Sequence, residues 1–468
     1  MTELLQNVDA ARPIGEAFVY VSDFTNTMEW DCTVIRAIKL TPGRVGLGTE
    51  FEVVCALPLG RIIITYKITD FQVDKLIELS GSSKLFDIID TISFSRSVRG
   101  TKIEYRAQFT FPSFVKPFQL IFESSLHKMG KNSVSGLQLA LEDNFPPPTT
   151  SKMTRRADQL VLPGICMFSR LGYMLGRRNF SPISASVKGK HMVVTGATAG
   201  LGFSTAQELA RRGAQLTLVV RDEKKAQDTV ARLIHETGNS DIQYEVADLS
   251  LLWEVDALIS RMLDSGRPVD ALVNNAGALF NPRQETSEGL EKSYALLLLS
   301  PYRLTEGLKP LLLKASAPRV INVVSGGMYS QKLEVDALSN TDAQSYSGSV
   351  AYAKEKRALM VVTQEWARNW AQEGIVVNAM HPGWADTPGV QDALPLFRKI
   401  TKSVLRSASE GADTIIWLAV ASEAALSSGQ LFLDRQVRPP HLLKKTRETD
   451  SERVKLMSFL SQFTAEPA

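Results

Sequence analysis

A short apolar run, His191-Met-Val-Val-Thr195, leads without a break into Gly196-Ala-Thr-Ala-Gly200-Leu201-Gly202 and then into a helical pattern that continues to about Arg212. No other stretch of the chain limits the fold so strongly. Glycine is required where backbone N–H groups must come close to a pyrophosphate and where the chain turns tightly onto a helix N-terminus, the end at which anions are favoured. Glycines spaced in this way are weak evidence alone. With a strand before them and a helix after them, they predict a dinucleotide-binding βα turn.

The surrounding residues extend that unit into a sheet. Gln215–Val220, Ile242–Ala247, Asp270–Val273, Arg319–Val324 and Ile375–Met380 are apolar, strand-like runs separated by helix-length segments. Runs apolar on both faces predict a parallel sheet covered on both sides, so a doubly wound α/β architecture is expected. The 468 residues exceed what one hydrophobic core supports, and 44% hydrophobic against 22% charged residues is the balance of a folded globular chain. A proline-led break at Asn144-Phe-Pro-Pro-Pro-Thr-Thr-Ser-Lys152 and a second loop at Ser181–Lys190 divide it. Before the break, 61–70, 87–94 and 101–110 alternate like antiparallel strands, a short helix is expected near Pro13–Val21, and apolar positions from Phe118 to Leu141 keep helical spacing within a long helix over about 114–141.

Further motifs arrive in order along the second domain. Asn274-Asn275-Ala276-Gly277 ends an apolar strand, Tyr352-Ala-Lys-Glu-Lys356 has the form YxxxK, and His381-Pro382-Gly383-Trp-Ala-Asp-Thr387 carries a Pro-Gly segment. With the spacing TGxxxGxG, these make the region from Val187 to about Leu433 resemble the short-chain dehydrogenase/reductase family. The resemblance implies a Rossmann domain in which Gly196, Gly200, Leu201 and Gly202 surround the pyrophosphate and Asp248 meets the adenine. It implies that Asn275 and Gly277 lie at the strand end beneath the cofactor, and that Pro382 and Thr387 border the nicotinamide. Arg221 follows the second strand, where an acidic residue would bind a free ribose 2′-hydroxyl. A guanidinium suits a 2′-phosphate, so NADP(H) is favoured over NAD(H).

Tyr352 and Lys356 are four apart in a helical segment and project from one face. A nearby ammonium favours the phenolate, which is expected to lower the tyrosine pKa from about 10 toward the working range of proton transfer. The resemblance implies that Lys356 also holds the nicotinamide ribose. Ser325 ends the strand Arg319–Val324, before two glycines, at the sheet edge where ligands bind in such folds; its implied role is to hydrogen-bond the carbonyl oxygen. Ser325, Tyr352 and Lys356 are therefore the expected catalytic residues. One position departs from the family: aligning Glu291–Pro301 by its Tyr-Ala pair puts Leu297 where an asparagine commonly supports a water-linked proton relay, and leucine cannot hydrogen-bond a water.

The first domain, with Ala17–Phe24, Trp30-Asp31 and Val45–Phe51, is similar to the polyketide-cyclase and START-like superfamily. That implies an α+β helix-grip fold, often enclosing an apolar cavity for a hydrophobic ligand. The expected organisation is a START-like domain over 1–145, a linker over 146–186, the Rossmann domain over 187–440 and a helical tail over 441–468. The stretch 160–178 contains Pro163 and Arg170 and is too short to span a bilayer; it reads as a linker helix between domains, with peripheral membrane contact as the alternative. A net charge of +3, dispersed along the chain, gives no nucleic-acid footprint. Three cysteines and histidines without metal spacing predict no metal site and a reducing, cytoplasmic setting, and residues 1–7 do not read as a secretion signal. The apolar run Tyr294–Leu299 admits two readings, a homodimer face or a helix buried in its own domain. Two functions are expected: NADP(H)-dependent interconversion of carbonyl and alcohol on a hydrophobic, lipid-like substrate or, because of Leu297, a lipid-binding or sensing protein with little turnover.

Overall fold

The computed structural model describes residues 2–31, 33–57, 60–83, 85–112, 167–177, 187–339, 344–386 and 404–464, with isolated positions at 133, 136–138, 140, 141, 150, 180 and 183. The chain forms two compact units, one of Met1–Pro146 with Phe180–Ala185, the other of Pro147–Asn179 with Ser186–Ala468.

In the first unit, strands β1 (Thr2–Ala10), β2 (Val34–Lys39), β3 (Glu50–Leu57), β4 (Gly60–Gln72), β5 (Leu76–Ser82), β6 (Asp87–Arg96) and β7 (Thr101–Thr110) form one antiparallel sheet in the order β1-β7-β6-β5-β4-β3-β2. The alternation legible in the sequence sets its two faces: along β6, Ile88, Asp90, Ile92 and Phe94 turn inward while Asp87 and Ile89 turn outward. Helix α1 (Ile14–Ser22) buries Ala17, Phe18 and Val21 against that inner face, with the Phe18 ring 5.2 Å from both Phe71 and Phe94. Of the long helix expected over 114–141, the described positions 133, 136–138, 140 and 141 are helical, and Leu137, Ala140 and Leu141 are buried in the core; the remainder lies outside the described residues.

The second unit is doubly wound. Strands β8 (His191–Thr195), β9 (Gln215–Val220), β10 (Ile242–Val246), β11 (Ala271–Asn274), β12 (Arg319–Val323), β13 (Val376–Met380) and β14 (Leu431–Leu433) run parallel, and β15 (Gln436–Arg438) returns antiparallel at the edge. Their order is β10-β9-β8-β11-β12-β13-β14-β15, so the winding reverses between β8 and β11. Every residue of β8, β11 and β12 is buried, as expected for strands covered on both faces. Ligands bind such sheets at the carboxyl ends of the strands beside the reversal, and the predicted motifs gather there.

Residues 167–177 belong to this second unit. Helix α2 (Arg170–Arg177) buries Gly172, Tyr173 and Gly176 and leaves Leu171 and Met174 exposed, and Arg170 pairs with Glu410 at 3.0 Å. No helix among the described residues is long and apolar enough to cross a membrane. Leu297, Leu298 and Leu299 are fully buried inside their own unit, and the Tyr294 ring packs between Phe459 and Phe463. The apolar run is thus the buried helix of the two readings, and gives no argument for a dimer.

Candidate active site

The glycine loop runs from β8 into helix α3 (Gly200–Arg211). Gly196 and Gly200 adopt φ of +68° and +56°, the left-handed region that glycine occupies at little cost. Gly202 is required for another reason: a Cβ there would lie 2.2 Å from the Gly196 carbonyl oxygen. Ala199 precedes the helix without a side-chain cap, which leaves first-turn N–H groups free to meet an anion. Asn275 Nδ2 donates to the Thr195 and Gly196 carbonyls at 2.8 and 3.3 Å, while Thr195 Oγ1 accepts from the Asn275 and Ala276 amides at 3.0 and 2.9 Å. These bonds tie the loop to the end of β11. A cradle closed to side chains and lined with free N–H groups fits a dinucleotide pyrophosphate.

Around the cradle, Leu201 and Pro382 meet across Gly411, where a Cβ would lie 2.6 Å from Leu201 Cδ2 and 3.4 Å from Pro382 Cβ. Arg221, just beyond β9, is exposed and has no hydrogen-bond or ion-pair partner among the described residues. Asp248 follows β10, with Oδ1 accepting from the Ser250 amide and hydroxyl at 2.9 and 2.7 Å. Gly277 lies exposed beyond β11. Thr387 lies outside the described residues.

Tyr352 and Lys356 stand on helix α4 (Gly348–Asn369), with Lys356 Nζ 5.8 Å from the centroid of the Tyr352 ring. Lys356 is 2% exposed and donates to the Val323 carbonyl at 2.8 Å, which pins the helix to the end of β12 two residues before Ser325. Ser325 Oγ accepts from the Gly327 amide at 3.2 Å. A Cβ on Gly327 would lie 3.6 Å from both Ser325 Oγ and Ala353 Cβ, so the serine loop and the first turn of α4 face each other. Behind them, a buried chain of amides and hydroxyls fixes the register: Asn274 Nδ2 donates to Asn322 Oδ1 at 2.8 Å, and Asn322 Nδ2 to Thr363 Oγ1 at 2.9 Å.

Two electrostatic facts correct the sequence expectation. Burial pushes the Tyr352 phenol up to about 12, where the neighbouring ammonium had been expected to lower it, and burial brings Lys356 down to about 8. Desolvation outweighs the lysine because Nζ points at the Val323 carbonyl. Leu297 is fully buried in a π-helical stretch, Ala295–Leu299. A Cβ on Gly277 would lie 3.1 Å from Leu297 Cδ2 and 3.9 Å from Lys356 Nζ, so the leucine stands beside the lysine where the alignment placed it.

Several structural contributors were not identified from the sequence. Phe168, in the stretch read as a linker, packs against the Ser325 loop: a Cβ on Gly326 would lie 2.9 Å from its ring. Its ring also lies 4.5 Å from His381 and 6.2 Å from Trp384. Its carbonyl accepts from the Trp384 amide at 2.8 Å and from Arg406 Nε at 3.0 Å. Arg406, buried and paired through two bonds with Asp434 at 2.6 and 3.0 Å, also holds the Met167 carbonyl at 2.8 Å. No periodicity links Phe168 to residues more than two hundred positions away. Nothing in the sequence around Arg406, Thr401-Lys-Ser-Val-Leu-Arg406-Ser-Ala-Ser-Glu410, marks it as buried.

Comparison with known proteins agrees with this architecture. Residues 190–395 match the short chain dehydrogenase family, and residues 1–142 match the family described as polyketide cyclase / dehydrase and lipid transport. The chain is 39% identical over 303 residues to dehydrogenase/reductase SDR family member 12 of Bos taurus, covering 64% of this chain and 94% of that protein. It is 33% identical to human retinol dehydrogenase 13 over 54% of this chain and 78% of that protein. Among solved structures, L-sorbose reductase from Gluconobacter frateurii, complexed with NADPH and L-sorbose, is 23% identical with a TM-score of 0.45, covering 54% of this chain and 97% of that one. With its glycine cradle, YxxxK pair and strand-end serine assembled on one doubly wound sheet, and with a relative matched over nearly its whole length, the chain belongs to the short-chain dehydrogenase/reductase family of oxidoreductases acting on CH–OH and C=O groups.

Proposed function

We propose that the second unit interconverts a carbonyl and an alcohol on a hydrophobic substrate with NADP(H) as cofactor. The observation that carries this reading is Lys356, anchored on Val323 beneath Tyr352 and two residues from Ser325. The bound dinucleotide would supply or take up the hydride. With its pKa raised to about 12, Tyr352 keeps its proton at neutral pH and so can serve as the acid that protonates a carbonyl oxygen. Ser325 Oγ accepts from Gly327, which leaves the serine's own proton to donate to the same substrate oxygen. The Lys356 ammonium, charged below about pH 8, favours negative charge developing on the phenol. Exposed Arg221 supports the 2′-phosphate of NADP(H). The rings of Phe168, Tyr329 and Trp384 beside the serine loop, and a relative named for retinol, support a hydrophobic substrate.

A second reading, ligand binding or sensing with little turnover, is favoured by Leu297, which removes the amide expected beside Lys356. The two separate in one assay. NADPH oxidation with a panel of apolar aldehydes and ketones, abolished by Tyr352→Phe, establishes the oxidoreductase. NADPH that raises the melting temperature while no member of the panel is reduced establishes the second reading.

A further inference from the structure

Two successive cations of α4 hold backbone carbonyls on either side of Ser325. Lys356 donates to Val323, and Arg357 Nη2 donates to the Met328 carbonyl at 3.1 Å. Met328 belongs to the turn Gly326–Ser330; its amide returns to the Ser325 carbonyl at 3.1 Å, while the Gly327 amide meets Ser325 Oγ. Arg357 and Met328 are both fully buried. No carboxylate pairs with this guanidinium among the described residues, and its Nε and Nη1 have no hydrogen-bond partner there. Glu448, the acid whose charge it feels, pairs instead with Arg453 and with His441 at 3.1 Å. Burial pulls the guanidinium below its ordinary pKa.

Nothing in the packing asks for this charge. Taking a guanidinium out of water without a carboxylate beside it is costly, and an apolar side chain of similar volume would be the more stable occupant. The Met328 carbonyl does not need the bond, because it also accepts from the Gln331 amide at 3.2 Å. What the arginine adds is a charge-assisted link between the helix that carries Tyr352 and the turn that follows Ser325. Misplacing a reacting group by about 1 Å lowers a rate by about a hundredfold, so such a link bears on chemistry. We propose that Arg357 is a positioning residue: through Met328 it holds Ser325 where one substrate oxygen can meet both the serine and the Tyr352 hydroxyls. The proposal rests on the oxidoreductase reading and adds to it a residue outside the YxxxK pair. Burial alone lowers the Lys356 pKa, so Arg357 does not act through the lysine's charge.

The test compares Arg357→Met with the native full chain, using NADPH and the apolar carbonyl compound that the native chain reduces fastest. kcat should fall at least about tenfold while NADPH affinity stays within about twofold, since the glycine cradle is untouched. The pH profile of kcat should keep its limb near pH 8, where Lys356 titrates. The melting temperature should stay within about 3 °C of the native value or rise. Arg357→Lys, which keeps a charged donor, should lose less rate than Arg357→Met. A kcat within about twofold of native, NADPH affinity lost in step with kcat, or a limb displaced by more than about half a pH unit would each overturn the proposal. So would a lysine variant no better than methionine, or a methionine variant that melts well below the native chain or does not fold. If the native chain reduces no carbonyl compound, the oxidoreductase reading fails by itself, and hydrogen exchange decides the link separately. Arg357→Met should then speed exchange of the Met328 amide at least about tenfold and leave β9 unchanged, and unchanged exchange at Met328 overturns the positioning role whatever the turnover.

Discussion

Replacing Asp90 with asparagine should change how the first unit's stability depends on pH, in a direction and by an amount that follow from burial. The carboxyl sits in the apolar face of the sheet, and burial pushes it from its ordinary value of 3.8 up to about 7, against the pull of the Tyr105 and Tyr66 hydroxyls beside it. Between those values the folded chain holds a proton that the unfolded chain has released. The group's contribution is therefore fully present below about pH 4 and lost as pH rises through about 7. At about 1.4 kcal/mol for each pH unit separating the two states, the loss is about 4 kcal/mol. Asparagine is nearly isosteric and does not titrate, so subtracting the variant's stability from the native chain's cancels every other titrating group. That difference should fall by about 4 kcal/mol between pH 4 and pH 8. Of the six tryptophans, Trp30 alone lies before Pro146, so urea unfolding followed by fluorine NMR of fluorotryptophan-labelled protein reads the first unit separately. A difference flat to within about 1 kcal/mol, or one that rises with pH, would refute the argument that burial dominates the Asp90 carboxyl.

Three further perturbations probe the second unit. Gly202→Ala forces a Cβ to within 2.2 Å of the Gly196 carbonyl, so the loop must move by about 1 Å; NADPH should bind at least about tenfold more weakly, seen as a smaller ligand-induced rise in melting temperature. Arg221→Ala should weaken NADPH roughly ten- to hundredfold by fluorescence titration and leave NADH unchanged, and equal losses for both would reject the 2′-phosphate role. Arg406→Met strands the buried Asp434 carboxylate and the carbonyls of Met167 and Phe168, at a cost of about 3–5 kcal/mol in chemical unfolding, and should expose the 167–177 segment to protease.

Much of this site was legible because its parts are local. The left-handed turn at Gly196 and Gly200, the four-residue step from Tyr352 to Lys356 and the strand ending at Ser325 depend on backbone geometry within a few residues, and that geometry is written in residue type and spacing. The β8, β9 and β12 runs were found from apolarity alone because a parallel sheet buries both faces of its strands. The Tyr352 pKa was misjudged for a complementary reason. Four-residue spacing shows that a lysine is near, but only packing shows that Nζ turns to the Val323 carbonyl and that burial dominates.

Contacts between distant segments left no comparable trace. The alternation along β6 places Asp90 inward, yet whether β3, β4, β7 and the Trp30 segment bring it a partner is decided by how they meet in space. Phe168 and Arg406 lie 238 positions apart and join through a backbone carbonyl, an acceptor every residue possesses and no sequence pattern marks. By itself, then, the sequence determined the doubly wound domain, its glycine turn and the local placement of Ser325, Tyr352 and Lys356, because each is set by short-range stereochemistry. Only the tertiary structure decided which charges are desolvated and which carbonyls Arg406 holds, because desolvation and hydrogen-bond partnership depend on neighbours that folding brings together.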